Sequence, residues 1–247
     1  MLAAGERAAL QFSGGKDSTA LLYLARPYLD RITVYFAETG AVFSHVRRHV
    51  EETCDALGAR LKVVLPPRPV QEHIDAQGLP SDLVPVEATL AARSWLREPR
   101  GPLVQSYAAC CAAMIWQPLE GAMRAAGETI VLRGAKRGDR RVGVGPDHWQ
   151  DGLEYRHPLW HWSDAQVLAF LDSERVTLPA HYADVPDSLD CWLCTAHLAQ
   201  HGGAKARWMR EHTPQLWREL QPRLEALKTA IDAAQAPLNA ILTGDMQ

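Results

Sequence analysis

The chain has 247 residues, of which 47% are hydrophobic and 22% are charged, a composition typical of a globular protein with a substantial core. No segment approaches the roughly 20 apolar residues of a membrane span, and residues 1–7 lack the regions of a signal peptide, so we expect a cytoplasmic protein without a membrane partner. The net charge of -3 gives no overall reason to bind nucleic acid, although a local basic cluster leaves a nucleic-acid substrate open. Five cysteines, an odd number without an export signal, favour metal ligands or nucleophiles over a disulfide framework.

The first predicted elements are a strand, a tight loop and a helix within residues 8–24. An apolar run ends in Ser-Gly-Gly-Lys-Asp-Ser, and apolar residues with helical spacing follow directly. The two glycines can adopt positive φ and expose backbone N–H groups at a helix start, which favours an anion such as phosphate. The lysine adds charge, the serine hydroxyls can bond phosphate oxygens, and the aspartate can cap the helix or hold Mg²⁺. The residues predicted to contact phosphate are Ser13, Gly14, Gly15, Lys16, Asp17 and Ser18.

This loop has neither the glycine-to-lysine spacing of a Walker A motif nor the dinucleotide fingerprint. It resembles the PP-loop of the ATP pyrophosphatases, or adenine nucleotide alpha hydrolases, a superfamily that includes the sulfonucleotide reductases. The resemblance implies that the chain binds ATP or a related adenine nucleotide with Mg²⁺ and that Lys16 and Asp17 are catalytic. The alternative is a glycine turn with an exposed lysine.

Strands and helices alternate in the next segment. Residues 31–37 and 61–65 predict strands, and residues 43–57 between them predict an amphipathic helix. Ligands of an open parallel sheet bind beyond the carboxyl ends of its strands, so we expect Glu38 and Thr39 to lie beside the PP-loop and face a ribose or a metal. Sulfonucleotide reductases carry a similar acidic-Thr-Gly segment here, while an ordinary strand-to-helix turn is the alternative. The alternation predicts a doubly wound, mostly parallel α/β sheet, similar to that of the adenine nucleotide alpha hydrolases.

Residues 128–132 predict another buried strand, and the loop after it contains five basic residues interrupted by glycines. If this loop lies at the carboxyl edge of the sheet, it faces the PP-loop and can bind the distal phosphates or the sulfate of a nucleotide. It resembles the Gly-x-Arg/Lys-Arg segment of the sulfonucleotide reductases, and Arg137 is the predicted catalytic residue. A solvated basic loop is the alternative. The residues predicted to bind the nucleotide are Gly134, Lys136, Arg137, Arg140 and Arg141.

Four cysteines occur as two pairs. Cys110 and Cys111 are adjacent in a helical-looking segment, whereas Cys191 and Cys194 form a Cys-x-x-Cys whose spacing lets two thiolates reach one metal centre. The four match the pattern of sulfonucleotide reductases that carry a [4Fe-4S] cluster, so the resemblance implies that they ligate one. Zinc and unliganded thiols are the alternatives, and adjacent ligands are awkward for one tetrahedral zinc ion. Cys54 lies on a predicted amphipathic helix, and we expect it to be a small buried residue.

The end of the chain is predicted to be helical. Ser163 is the expected N-cap of a helix over residues 165–171, and the Pro-Leu, Trp-Ser-Asp and Cys-x-x-Cys-Thr order around it is again similar to the sulfonucleotide reductases. The resemblance covers about residues 8–195. We therefore predict a PP-loop nucleotide-binding and iron–sulfur domain over residues 1–195 and a helical C-terminal extension over residues 196–247.

The sequence departs from the sulfonucleotide reductases in three respects. Those enzymes use a nucleophilic cysteine near the C-terminus, and no cysteine follows Cys194 here. They tend to carry basic residues after the adjacent cysteines, where residues 112–116 of this chain are apolar. Their PP-loop is typically degenerate, whereas residues 13–18 keep both glycines, the lysine and the aspartate, like the ATP-cleaving members.

From these departures we predict an enzyme that cleaves ATP between the α and β phosphates and forms an adenylated intermediate, which a nitrogen or sulfur nucleophile then attacks. The first alternative is a reductase of adenylylsulfate or its 3′-phosphorylated form, with the missing thiol supplied by a thiol or electron-donor protein. The second alternative is a non-catalytic nucleotide-binding iron–sulfur module of a larger complex.

Overall fold

The computed structural model describes residues 1–83, 97–98, 101–102, 104–139 and 147–244. Its strands are β1 (Ala8–Gln11), β2 (Ile32–Ala37), β3 (Arg60–Val64), β4 (Leu79–Ser81), β5 (Arg97–Glu98), β6 (Gly101–Pro102), β7 (Val104–Ser106), β8 (Ile130–Leu132), β9 (His148–Gln150) and β10 (Leu153–Arg156). Its α-helices are α1 (Lys16–Leu24), α2 (Ser44–Leu57), α3 (Val70–Gln77), α4 (Tyr107–Cys111), α5 (Gln117–Ala125), α6 (Asp164–Ser173), α7 (Ala204–His212) and α8 (Pro214–Thr243). A π-helical turn covers Ala112–Trp116, and 3₁₀ turns cover Arg26–Arg31, Ala180–Ala183 and Gln200–Gly202.

The chain forms two compact units, and each unit is built from two separate stretches of sequence. The first unit comprises Met1–Pro67 and Ala113–Asp190, and the second comprises Arg68–Ala112 and Cys191–Gln247. The second unit thus joins a middle stretch of the chain to its C-terminal part. The functional division into residues 1–195 and 196–247 stays a prediction.

The first unit is built on a six-stranded sheet with the strand order β3-β2-β1-β8-β10-β9. β1 pairs in parallel with β2 and β8, β3 and β10 continue the parallel sheet on either side, and the edge strand β9 is antiparallel to β10. The chain moves outward from β1 to β3 and then returns to β8 on the other side of β1. This reversal confirms the doubly wound, mostly parallel α/β sheet and creates a topological switch point between β1 and β8, where such folds bind ligands.

Strand β2 explains why helices cover both faces of the sheet. Ile32, Val34 and Phe36 are at most 4% exposed and share one core cluster with side chains of α1, α2 and α6. Tyr35 points to the opposite face, as the two-residue period of a strand requires, and shares the second cluster with Met123 of α5. Burying a large apolar side chain contributes roughly 1.5–3 kcal/mol, so the two clusters make the sheet a rigid platform for the loops at its edge.

The predicted elements of the first unit agree closely with the structure. Helix α2 begins one residue later than expected, β3 begins one residue earlier, and β8 covers the last three residues of the predicted strand. Cys54 is 1% exposed and belongs to the core, which confirms the expectation for this residue. The hairpin of β9 and β10 was not predicted, although Asp151 and Gly152 between the strands, with φ of 49° and 81°, form the Asp-Gly signal of a tight hairpin turn.

The second unit contains short strands and the predicted C-terminal helices. β4 pairs in parallel with β7, and β5 pairs in an antiparallel manner with β6. Helices α7 and α8 confirm the helical prediction for the C-terminal part, and Leu220 and Leu227 of α8 are buried. None of the helices in the described ranges is long and apolar enough to cross a membrane.

Candidate functional site

The loop between β1 and α1 adopts the backbone conformation that its two glycines permit. Gly14 has a φ of 79°, which an L side chain rarely adopts, and Gly15 is the extended residue before the first turn of α1. A Cβ atom on Gly14 would lie 3.0 Å from methyl groups of both Val46 and Val50. Glycine is therefore needed here both for conformation and for close packing of the loop on α2.

Serine hydroxyls close this loop from within. The Ser13 N–H donates to Ser18 Oγ at 3.3 Å, and the two Oγ atoms lie 3.2 Å apart. Ser18 Oγ donates to the Gly15 carbonyl at 3.0 Å, while the Gly15 N–H faces Ser13 Oγ at 3.4 Å. These bonds tie residues 13–15 to the first turn of α1 at the carboxyl end of β1.

The loop after β8 lies directly against the start of α1. A Cβ atom on Gly134 would lie 2.8 Å from the carbonyl carbon of Asp17 and 2.9 Å from the Ser18 nitrogen, closer than real Cβ atoms come. The absence of a side chain at residue 134 lets the backbones of the two loops touch. The loop 13–18 and the loop after β8 therefore meet at the switch point, while nucleotide contact by Gly134 stays a prediction.

Two lysines and three aspartates form a cluster at this junction, which we call the charge cluster: Lys16, Asp17, Lys136, Asp139 and Asp164. Lys16 Nζ lies 3.0 Å from both Asp17 Oδ2 and Asp164 Oδ1. Lys136, whose side chain is 4% exposed, places Nζ 2.6 Å from Asp17 Oδ1 and 3.4 Å from one oxygen each of Asp139 and Asp164. Both ammonium groups are therefore already neutralised by carboxylates of the protein itself.

The electrostatics of the charge cluster shift the pKa values of Lys16 and Asp164 toward their charged forms. Burial alone would lower the pKa of Lys16, but the neighbouring Asp17 and Asp164 outweigh it and raise the pKa. The hydrogen bond from Lys16 lowers the pKa of Asp164 against the opposing effect of burial, and Lys136 adds to this lowering. At neutral pH Lys16 thus offers a charged ammonium group to an anion, and Asp164 offers a charged carboxylate to a cation.

Glu38 and Thr39 are buried in the turn after β2, where they hold its backbone. Glu38 Oε1 accepts from the Gly40 N–H at 2.9 Å, and Thr39 Oγ1 accepts from the Ala41 N–H at 3.2 Å. Glu38 Oε2 also pairs with Arg47 at 3.1 Å. These contacts fit the ordinary role of a strand-to-helix turn, and contact of either residue with a ribose or metal stays a prediction.

The predicted arginines fall into two groups. Arg137 is exposed, and its backbone N–H donates to the Trp160 carbonyl at 2.9 Å, which fixes the loop and leaves the guanidinium at the surface. Arg140 and Arg141 lie outside the described residues. The catalytic role of Arg137 and the nucleotide contacts of all three arginines stay predictions.

Three side chains at this junction were not predicted as site residues: Tyr182, Asp139 and Asp164. Tyr182 Oη accepts the backbone N–H of Lys16 at 2.8 Å, so it occupies a donor that a bound phosphate would use. Asp164 has a signal, because it follows the N-cap Ser163 of a complete capping box, but an acidic residue in a first helical turn is already explained by the helix dipole. No local sequence pattern indicates that Tyr182 contacts the loop 13–18.

Three histidines of the first unit lie close to Tyr182 and α1. His45 Nε2 and His181 Nδ1 are 3.0 Å apart, and His49 Nε2 lies 3.2 Å from Thr19 Oγ1. Burial, followed by the charges of His45 and His49, lowers the pKa of His181 to about 3, and burial lowers the pKa of His49 to about 4. These rings are consequently neutral at pH 7 and bond one another and Thr19 as neutral groups.

The four cysteines predicted as ligands all belong to the second unit. The Cys194 N–H donates to the Cys191 carbonyl at 3.3 Å, so the Cys-x-x-Cys segment forms a turn. Burial, together with the charges of Cys191 and Cys194, raises the pKa of Cys110 to about 12, which means that these three thiols lie within electrostatic range of one another. Cys111 follows Cys110 at the end of α4 and is partly exposed.

The thiols form no closed centre in the structure. The five cysteines make no disulfide bond, and within the described ranges no three side chains of His, Cys, Asp or Glu are arranged to hold a metal ion. Cys54, in the first unit, is enclosed by the core, and burial raises the pKa of its thiol to about 12. A buried thiol with a raised pKa is a poor nucleophile.

A shallow cavity of about 730 Å³ lies at the opposite, amino-terminal edge of the sheet, where Arg7, Thr33 and Thr129 contribute to its lining. None of the predicted site residues lines it. Ligands of doubly wound sheets bind at the carboxyl edge, so the switch point between β1 and β8 remains the candidate site.

Solved structures with a similar fold include phosphoadenylyl-sulfate (PAPS) reductase from Candida auris in a phosphate complex. It aligns with a TM-score of 0.54 at 16% identity over 78% of this chain and 84% of that chain, a likeness that shows the fold alone. The U34-tRNA thiolase NcsA from Methanococcus maripaludis, with its [4Fe-4S] cluster, aligns with a TM-score of 0.47 at 13% identity over 91% of this chain and 72% of that chain. FMN adenylyltransferase from Candida glabrata in complex with ATP aligns with a TM-score of 0.44 at 17% identity over 73% of this chain. The alignment covers 51% of the adenylyltransferase, so this chain spans about half of that protein.

Sequence comparison identifies the family. No curated protein matches the chain. The family model of the phosphoadenosine phosphosulfate reductase domain matches residues 7–197, a stretch that includes β1, the loop 13–18, the charge cluster and all four predicted cysteine ligands. The chain therefore belongs to the phosphoadenosine phosphosulfate reductase domain family.

Proposed function

We propose that the chain binds an adenine nucleotide at the loop 13–18 and cleaves ATP between the α and β phosphates to adenylate an acceptor. The observation that carries this proposal is the charge cluster, in which Lys16 and Lys136 meet at the switch point beside three carboxylates. Two cations at a helix amino end suit a leaving pyrophosphate, because they stabilise negative charge that develops as the bond breaks. The acceptor attacks the α-phosphorus, the bond from that phosphorus to the bridging oxygen breaks, and pyrophosphate leaves with the bonding electrons.

The charge balance of the cluster indicates that the nucleotide enters together with a divalent cation. Two ammonium groups and three carboxylates leave one net negative charge, which repels ATP alone. Carboxylate oxygens are the ligands that Mg²⁺ prefers, so Asp17, Asp139 and Asp164 would hold this ion, which supplies neutralising charge. The phosphates would then take the lysines as partners while the aspartates face the cation.

The same proposal assigns a [4Fe-4S] cluster to Cys110, Cys111, Cys191 and Cys194. Four thiols in one compact unit match the donor set of such a cluster, and three of them lie within electrostatic range of one another. When bound, the cluster would supply one-electron redox chemistry. The residues of the chain provide the four sulfur ligands and the turn that holds two of them.

Pyrophosphate release tests the nucleotide chemistry. Anaerobically purified protein with ATP and Mg²⁺ should release pyrophosphate slowly, faster once the acceptor is present, and chelation of Mg²⁺ should abolish the release. Lys16→Ala should reduce the rate at least about tenfold, because one lost charged hydrogen bond costs roughly 1.5–3 kcal/mol. Lys62→Ala, at an exposed lysine of β3, is the matched control and should behave as wild type. Nucleotide binding without any turnover would instead support a non-catalytic module.

Metal analysis tests the cluster assignment. Protein prepared without oxygen should be brown with about four irons per chain. Cys191→Ser should lose the colour, while Cys54→Ala, which removes the core thiol without burying a hydroxyl, should keep it. A colourless wild-type protein that holds one zinc ion would contradict the cluster.

A second candidate function is reduction of adenylylsulfate or its 3′-phosphorylated form, which family membership favours. Such a reaction needs an accessible thiolate that attacks the sulfate sulfur, and Cys54 is buried with a raised pKa. This candidate thus requires a thiol from a partner protein. Sulfite release by the isolated chain with thioredoxin and either substrate would establish reduction and exclude the ATP-cleaving role as the main one.

A further inference from the structure

Lys205 is a buried cation beside the Cys-x-x-Cys turn. It lies in the first turn of α7 and is 8% exposed. Its Nζ donates to the carbonyl oxygens of Cys191 at 3.2 Å and Cys194 at 2.9 Å. Within the described part of the chain, Lys205 forms no ion pair with a carboxylate.

This position is costly for a lysine. Burial removes the ammonium group from water, and two neutral carbonyl groups offset only part of that loss. The amino end of α7 also carries partial positive charge, which repels a cation in the first turn. An anionic neighbour would stabilise a buried ammonium group at such a place, and both residues whose carbonyl groups Lys205 contacts, Cys191 and Cys194, carry thiols.

We propose that Lys205 is the positioning residue and fixed positive charge of the metal–thiolate centre formed by Cys110, Cys111, Cys191 and Cys194. It orients the turn through two carbonyl groups and stabilises the negative charge that the thiolates carry when they ligate the metal. This inference rests on the assignment of the four thiols as ligands. Residues 112–116, which follow the adjacent cysteines in sequence, carry no charge, whereas Lys205 of α7 brings an ammonium group into contact with the Cys-x-x-Cys turn.

A merely structural tie between α7 and the turn would need the hydrogen bonds of Lys205 and not its charge. Lys205→Gln separates the two roles, because the amide still donates to a carbonyl but has no charge. Lys205→Arg keeps the charge and the donors. Lys228→Met is the matched control, since Lys228 is an exposed lysine on α8 of the same unit.

The experiment measures metal retention and reduction potential in anaerobically prepared protein. Lys205→Gln should lose iron to a chelator about 10- to 100-fold faster than wild type, the range for lost outer contacts of metal ligands. Its reduction potential should shift to a more negative value, because the reduced centre carries more negative charge and has lost a nearby cation. Lys205→Arg should stay near wild type in both measurements, and Lys228→Met should not differ from it.

The outcomes distinguish the role of Lys205 from the assignment of the four cysteines as metal ligands. Wild-type retention and potential in Lys205→Gln would overturn the role of Lys205 while the cluster assignment stands. Faster metal loss with an unchanged potential would reduce Lys205 to a structural tie and likewise overturn its role as fixed charge. A wild-type protein that retains neither iron nor zinc would overturn the ligand assignment and the role of Lys205 together.

Discussion

At the scale of single residues, the donors of the proposed nucleotide site are already bonded to the protein's own groups. The ammonium groups of Lys16 and Lys136 are paired with aspartates, and the Lys16 N–H is bonded to Tyr182 Oη. An incoming phosphate must exchange these partners, so its affinity depends on how strongly the protein satisfies its own donors. Tyr182 is the simplest place to measure this competition, because a single oxygen can be removed there.

Tyr182→Phe should strengthen the binding of inorganic pyrophosphate. The substitution releases the Lys16 N–H, and a typical hydrogen bond contributes about 0.5–1.5 kcal/mol net, so affinity should rise about 2- to 10-fold. Calorimetric titration in the presence of Mg²⁺ measures the change, and Tyr23→Phe on α1 serves as the control. Weaker binding by Tyr182→Phe would mean that the hydroxyl contacts the bound anion instead of competing with it.

At the scale of elements, the site depends on how closely the loop after β8 approaches α1. Gly134 lies against the backbone of Asp17, and Lys136, two residues later, forms an ion pair with the Asp17 side chain. The approach follows from the strand order, since β1 and β8 are parallel neighbours whose carboxyl ends meet at the same edge. Separation of the loops would therefore disturb the site without removing any charged group.

Gly134→Ala should destabilise the protein and weaken nucleotide binding. The new Cβ atom would lie 2.8 Å from a backbone carbon, so a loop must shift, at a cost of about 1–3 kcal/mol in the free energy of unfolding. Gly138→Ala is the matched control, because a Cβ atom there meets no atom within 4 Å. Urea unfolding and ATP titration of both variants check the prediction, and equal behaviour of the two would contradict the close approach.

At the scale of the whole molecule, buried neutral histidines make stability depend on pH. His181 and His157 are 1% and 4% exposed, and among the described residues neither ring nitrogen of His157 has a hydrogen-bond partner. Burial, with the charges of Arg133 and His148, lowers the pKa of His157 to about 4, while His181 falls to about 3. In the unfolded chain histidine has a pKa near 6.5, so between about pH 6.5 and pH 4 these two histidines are protonated in the unfolded state and neutral in the folded state.

The free energy of unfolding should fall as the pH is lowered from 7 toward 4. Because the folded-state pKa values lie below the unfolded ones, the stabilisation is complete above about pH 6.5, and each buried histidine removes up to about 1.4 kcal/mol per pH unit below it. His157→Phe keeps a ring and cannot titrate, so it should flatten the slope, whereas His161→Phe at an exposed position should not. Urea midpoints measured between pH 7 and pH 5 provide the test, and a pH-independent wild type would refute it.

Much of the fold was predictable because its signals are local. The glycine loop, the β-branched strands and the apolar spacing of α2 each lie within one short run of consecutive residues, where backbone preference and burial act directly. The hairpin of β9 and β10 was missed although its Asp-Gly turn is a local signal, because its strands, His-Trp-Gln and Leu-Glu-Tyr-Arg, contain no β-branched residue, unlike the equally short β8. Short elements depend on their neighbours in the sheet more than on their own sequence.

By itself, the sequence determined the glycine loop 13–18, the order of strands and helices in the first unit, the buried position of Cys54 and the two cysteine pairs. Only the tertiary structure decided which side chains meet: Asp164 with the two lysines, Tyr182 with the Lys16 N–H, and Lys205 with the Cys-x-x-Cys turn. The physical reason is that these contacts join residues far apart in the chain. Their partners are chosen by strand order and helix packing, which leave no periodic pattern in the local sequence.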